Sequence, residues 1–142
     1  MTSVELRAID AATAIKAAEA AIEKAKEIGF AICVAIYDNS AQLKAYVRME
    51  GAPMASAAIA EDKAFTSASF QCTTDSLFEW FKNDEPLLHG LNRYPRMVTF
   101  GGGYPIKENG KLIGAIGISG GHYTQDMECC KAALKAIGLP AE

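Results

Sequence analysis

The spacing of apolar side chains predicts alternating helices and strands. Between Asp10 and Ile28, alanines and isoleucines recur at helical spacing, which predicts an amphipathic helix that Gly29 ends. Residues 30–38 form a continuous apolar run, which is typical of a strand buried on both faces. Residues 42–49 alternate between apolar and polar side chains, which predicts a strand, and the short connection over residues 39–41 suggests that it pairs with the first as a β-hairpin.

The rest of the chain predicts three helices and three strands. An alanine-rich helix is expected over residues 54–69, and a second helix over 73–81 with Thr73 or Thr74 as its N-cap. Residues 82–95 are expected to form an irregular surface connection, followed by strands at 96–100, 104–108 and 111–119. The last helix runs from about Thr124 to Ile137. This order predicts one α+β domain over residues 1–142, with an antiparallel sheet of about five strands flanked by helices.

The composition and net charge argue against a function in binding nucleic acids or membranes. The chain has a net charge of −3 and a pI near 5.4, so it lacks the excess of cations that a nucleic-acid or anionic-membrane surface requires. No apolar run is long enough to span a bilayer, and the first ten residues do not resemble a signal peptide. We therefore expect a cytoplasmic protein whose four cysteines are reduced thiols.

Eight of the twelve glycines fall within residues 100–126. Their spacing matches neither the dinucleotide fingerprint nor the Walker pattern, so a nucleotide phosphate loop is not indicated. Gly114 and Gly117 instead remove bulk from opposite faces of a predicted strand, which lets a helix or a ligand approach the backbone. Gly120 and Gly121 precede a helix, where free N–H groups can bind an anion.

Three blocks, residues 48–52, 56–68 and 100–126, resemble the GlcG/HbpS family, which includes the C-terminal domain of PduO-type corrinoid adenosyltransferases. The resemblance implies a profilin-like fold, homo-oligomers, genes in bacterial catabolic operons and, for some members, haem binding. Two residues depart from the family pattern. Ala41 replaces a turn glycine, and His122 stands where a small residue or Thr is usual.

Two cations and the glycine-rich segment suggest an anion site. Arg48 ends a strand and Lys63 lies on the next helix, so with the backbone of Gly120 and Gly121 they are expected to bind a carboxylate such as a haem propionate. Tyr104 is expected to line this pocket with its hydroxyl as a donor, or to pack in the core or at a subunit contact. The alternative for both cations is structural ion pairing, with Glu50, Glu61 or Asp126.

His122 and Asp126 are four residues apart and share a helical face if the helix begins early. They are candidates for a catalytic base with its orienting carboxylate, or for a metal site together with Cys129 and Cys130. His122 is also the preferred axial ligand if the cofactor is haem. The alternative is that His122 belongs to a loop and Asp126 only complements the positive end of the helix.

Three functions remain open. The preferred one is a homo-oligomeric protein of a bacterial catabolic operon that binds haem or another small anionic ligand. The second is an enzyme of small carboxylate or carbonyl catabolism, an isomerase or lyase in which His122 and Asp126 transfer a proton. The third is a non-catalytic oligomeric accessory protein.

Overall fold

The computed structural model describes all 142 residues as an α+β fold, which confirms the predicted class. The sheet has four strands, not about five, in the order β2-β1-β4-β3, and every neighbouring pair is antiparallel. The elements in chain order are α1 (Ala11–Ile28), β1 (Cys33–Asp38), β2 (Leu43–Arg48), α2 (Ser56–Phe70), α3 (Thr74–Phe81), α4 (Glu85–Leu91), β3 (Gly103–Glu108), β4 (Lys111–Ser119) and α5 (Tyr123–Ala136).

Helices cover both faces of the sheet. Helix α2 packs on one face, and α1 and α5 pack together on the other. Strand β1 supplies side chains to both layers: Ala35 contacts the α2 side, whereas Val34 and Ile36 belong to the larger core beneath α1 and α5. The expectation that this strand is buried on both faces is therefore confirmed. No helix here combines the length and apolarity that crossing a membrane requires.

Glycine in β4 allows α2 to lie directly on the strand. A Cβ at Gly117 would overlap the carbonyl oxygen of Ala60 and would lie 2.5 Å from the amide nitrogen of Ala64. Both atoms are helix backbone and cannot rotate away. The sequence predicted that Gly117 lets a helix or a ligand approach the strand, and in the structure α2 makes that approach.

Residues 96–100 do not form the predicted strand. Arg96 has a φ of 66°, which breaks an extended conformation. The side chain of Thr66 on α2 donates to the Arg96 carbonyl at 2.8 Å and accepts from the Val98 N–H at 3.0 Å. The Arg96 carbonyl and the Val98 N–H are therefore hydrogen-bonded to Thr66 on α2 and are not available to a neighbouring strand.

The connection predicted to be irregular contains α4. Asp84 caps this helix by accepting from the Leu87 N–H at 3.3 Å, and Pro86 lies in its first turn. Both features are ordinary helix-start signals, so this helix could have been predicted from its sequence. The helix has only seven residues and buries none of them, so the segment is too short to show the repeating apolar pattern of a longer helix.

Candidate functional site

A cleft of about 610 Å³ opens between α3, the loop before β3 and the start of α5. Its volume lies in the range of small-molecule sites. Each of these three elements contributes three residues. The lining consists of Asp75, Phe78, Glu79, Thr99, Phe100, Gly101, Tyr123, Thr124 and Met127.

Helix α3 is fixed to the sheet at its first turn. Thr73 caps the helix by accepting from the Ser76 N–H at 3.3 Å, and the hydroxyl of Thr74 accepts from the Gly103 N–H at 3.0 Å. A Cβ on Gly103 would lie 2.6 Å from both the Lys63 carbonyl oxygen and the Thr74 methyl group. Glycine at this position lets α2, α3 and β3 meet, which places one wall of the cleft.

A buried ion pair lies behind the opposite wall. The Nζ of Lys63 donates to Asp126 at 3.0 Å and to the carbonyl of Ile118 at 2.8 Å. The second carboxylate oxygen of Asp126 accepts from the Gly121 N–H at 3.1 Å. The ammonium also lies 5.0 Å from the centroid of the Phe100 ring, a cation–π distance. One network thus joins α2, β4 and α5 to the loop that carries Phe100.

Burial opposes the charge on both members of this pair. The side chains of Lys63 and Asp126 are 0% and 2% exposed. Desolvation lowers the pKa of Lys63, and the Asp126 carboxylate partly offsets this effect. Desolvation likewise raises the pKa of Asp126, against the opposing pull of Lys63. Each charge therefore depends on the other, and neither is free to receive a ligand.

His122 begins α5 as its N-cap. Its Nδ1 lies 2.9 Å from the hydroxyl of Thr124 and 3.3 Å from the Thr124 amide nitrogen, while its own N–H donates to the Gln125 side chain at 3.0 Å. The imidazole is exposed and lies beside the ring of Tyr123, with 4.2 Å between centroids. Its Nε2 makes no hydrogen bond within the chain, so the imidazole stands next to a cleft residue with one nitrogen open.

The structure does not form the proposed pair of His122 and Asp126. Both carboxylate oxygens of Asp126 are held by Lys63 and Gly121, so none orients the imidazole. A metal site is not formed either, since no three His, Cys, Asp or Glu side chains are placed to share an ion. Cys129 and Cys130 are fully buried, and burial raises the pKa of Cys129 to about 12 and that of Cys130 well above its ordinary value, which disfavours thiolate ligands.

The other proposed ligand-binding residues do not converge. Arg48 is exposed on the edge strand β2 and forms no ion pair, whereas Lys63 is buried in one. Tyr104 is 3% exposed, packs in the core, and has its pKa raised mainly by burial. The N–H of Gly121 is used by Asp126, and Gly120 packs against the backbone of Ala31. None of these five residues lines the cleft.

The charge of the cleft is acidic. Asp75 and Glu79 line it, and no Lys, Arg or His does. The Glu79 carboxylate is paired with the ammonium of Lys82 at the end of α3, which leaves Asp75 as the carboxylate without a cation. The Oδ1 atom of Asp75 is buried and finds no hydrogen-bond donor in the protein. Asp75 therefore brings an unsatisfied acceptor to a cleft that aromatic rings also line, and the cleft is not the predicted cationic pocket.

Sequence reasoning missed the cleft because its three walls are far apart in the chain. Asp75 lies in the helix predicted over residues 73–81 and Phe100 in the strand predicted over residues 96–100, so nothing in the local patterns placed them together. The available signal was the aromatic content of the α3 and glycine-loop segments, since Phe78 and Phe100 remain 39% and 46% exposed in the fold. Exposed aromatic side chains near each other mark binding surfaces.

The fold is the profilin-like class of sheet with helices on both faces, as the resemblance implied. The chain belongs to the HbpS-like family, described as "Haem degrading protein HbpS-like", whose model matches residues 9–135. An uncharacterised 15.0 kDa protein encoded between dhaT and dhaS in Citrobacter freundii is 34% identical, covering 93% of this chain and 94% of its own. The solved structure of a PduOC:haem complex has a TM-score of 0.87 at 30% identity, covering 95% of this chain and 99% of that one.

The corrinoid adenosyltransferase PduO of Salmonella typhimurium is 34% identical over 84% of this chain. The match covers only 36% of that enzyme, so the chain spans about a third of its length. The likeness therefore concerns one part of PduO.

Proposed function

We propose that this protein binds haem in the cleft between α3 and α5. The observation that carries the proposal is the lining, in which the side chains of Phe78, Phe100, Tyr123 and Met127 offer an apolar surface to a flat macrocycle. The family description and the relative solved with haem support the same ligand class. Bound haem would supply an iron centre with its own redox and ligand chemistry.

The acidic lining sets which edge of haem faces inward. Asp75 would repel the two propionates, Glu79 is already paired with Lys82, and no cation lines the cleft to neutralise an acid group. We therefore propose that the propionates point to solvent and the apolar edge enters. Arg48, which remains unpaired, is available to an acid group only outside the cleft.

We propose His122 as the axial ligand. Nε2 would be the ligand atom in the tautomer whose Nδ1 carries the proton and donates to the Thr124 hydroxyl, the kind of outer contact that fixes a ligating histidine. In that tautomer the Thr124 N–H gives up its bond to Nδ1, and the capping bond from the His122 N–H to Gln125 remains. The small loop residues before it leave the imidazole exposed at the rim. The enzyme alternative gains no support, because its His122–Asp126 hydrogen bond is not formed.

A haemin titration of the His122→Asn variant tests the axial role. Asparagine is also a good N-cap, so the variant removes the imidazole while α5 keeps its start. We expect the Soret band of the complex to shift and the affinity to fall by about tenfold or more. His89→Asn is the matched control, since His89 is exposed on α4 and lies outside the cleft. An unchanged Soret band in His122→Asn would exclude this ligand.

We further propose that the protein is a cytoplasmic homo-oligomer encoded in a catabolic operon. The four cysteines are all free, as is ordinary in a reducing compartment. The Citrobacter relative takes its description from its position between two genes. Strand β2 is an unpaired edge that exposes Leu43, Tyr46 and Val47, a surface that a second copy can cover.

A further inference from the structure

The unsatisfied carboxylate oxygen of Asp75 is a feature that haem binding does not explain. Asp75 lines the cleft, and its Oδ1 is buried and receives no hydrogen bond from the protein. The position of Asp75 in the first turn of α3 complements the helix dipole, but that field supplies no donor to this oxygen. A buried acceptor without a donor is costly, so a ligand that brings an N–H group to it gains affinity.

The surroundings of Asp75 suit a cation. The rings of Phe78, Phe100 and Tyr123 line the same cleft, and aromatic faces attract an ammonium group. Glu79 also lines the cleft, but its carboxylate is already paired with the ammonium of Lys82, so Asp75 is the carboxylate without a cation. Neither nearby protein ammonium bonds to Asp75: Lys63 lies over the Phe100 ring and is bound to Asp126, and Lys82 is bound to Glu79.

We propose that the cleft binds small primary ammonium compounds that have an apolar body. The ammonium donates to Oδ1 of Asp75, and the body packs among the rings and against Met127. A quaternary ammonium has no N–H and leaves the oxygen unsatisfied, while a carboxylate of the same size is repelled. The preference among these three ligand types is what distinguishes this site from a general apolar cleft.

Calorimetric titration of the full chain, purified without haem, tests the preference. Benzylamine, benzyltrimethylammonium and benzoate share one apolar body and differ in their charged group. We expect benzylamine to bind at least about tenfold more tightly than either of the others. Equal affinity for benzylamine and benzoate would overturn the proposal, and so would the absence of benzylamine binding.

The Asp75→Asn variant tests the residue. We expect it to lose about tenfold or more in affinity for benzylamine. Glu50→Gln is the control, since it removes one negative charge from an exposed site outside the cleft and is expected to bind as the wild type does. Equal benzylamine affinity in Asp75→Asn and wild type contradicts the proposal. If Asp75→Asn fails to fold, as judged by circular dichroism, the ligand series on the wild type decides.

This inference and the proposed haem function fail separately. Benzylamine binding without any haemin complex would remove the haem function and leave the ammonium site. A haemin complex in a protein that does not bind benzylamine would remove the ammonium site and leave the haem function. When both ligands bind, we expect benzylamine to displace haemin in competition, because the two occupy one cleft; simultaneous binding would place the ammonium site elsewhere and overturn the proposal.

Discussion

At the scale of single residues, the buried contact between Lys63 and Asp126 matters most for the shape of the site. It joins α2 to α5 and places the ammonium under the Phe100 ring, so it supports one wall of the cleft. Its two charges are both removed from water, which makes the loss of either one more damaging than the loss of both.

Replacing Lys63 with Met is expected to destabilise the fold by about 3–5 kcal/mol, because it leaves the Asp126 carboxylate buried without its partner. The double variant Lys63→Met/Asp126→Leu should recover part of this loss. Recovery should be incomplete, since the Ile118 carbonyl and the Gly121 N–H lose their partners. Chemical denaturation measures all three proteins. A single variant as stable as the wild type would show that the pair contributes nothing.

Cys129 gives a prediction for alkaline pH. Burial raises its pKa from 9.0 to about 12, so between these values the folded protein holds a proton that the unfolded chain has released. Stability is therefore lost as the pH rises above 9.0, by up to about 1.4 kcal/mol per pH unit for this group. Cys129→Ala has no thiol to titrate, so its free energy of unfolding should rise relative to that of the wild type between pH 9.0 and about 12. A stability difference that does not change with pH would contradict the assignment.

At the scale of elements, the packing of α2 on β4 depends on Gly117. Gly117→Ala places a methyl group against the α2 backbone, and we expect a loss of about 1–3 kcal/mol in the free energy of unfolding. Gly90→Ala is the control. Nothing lies within 4 Å of a Cβ at this helical position, so the change should be neutral or stabilise by about 0.5–1 kcal/mol. Similar effects at both sites would mean that close packing does not explain Gly117.

The elements that were predicted correctly include those with long apolar patterns. Helix α1 and strands β1 and β4 have long apolar patterns, so their burial could be anticipated. The segment around Arg96 has strand-like composition, but the hydroxyl of Thr66, thirty residues away, captures its backbone groups. Such a tertiary contact leaves no trace in local propensity.

At the scale of the whole molecule, the cleft could not be predicted because it exists only after three distant segments meet. His122, Lys63 and Asp126 were all predicted to be site residues, but in the fold they have different roles. Lys63 and Asp126 satisfy each other, which leaves His122 at the rim. The charge of the cleft comes from Asp75 and Glu79, whose position depends on how α3 packs.

The exposed edge of β2 predicts the behaviour of the protein in solution. We expect light scattering after size exclusion to give a mass that is a multiple of 15.1 kDa. Val47→Lys should shift the protein towards the monomer, because it places a charge on the apolar edge. Ile15→Lys, at a half-exposed site on α1, should leave the mass unchanged. A monomeric wild type would exclude the oligomer.

The most direct test of haem binding in the cleft is a haemin titration followed by visible absorption. The wild type is expected to give a shifted Soret band that saturates at one haem per chain. Phe78→Glu, which adds a charge to the apolar lining, should weaken the complex by about tenfold or more. A wild-type spectrum that stays that of free haemin, or a Phe78→Glu variant that binds as tightly as the wild type, would contradict the proposed site.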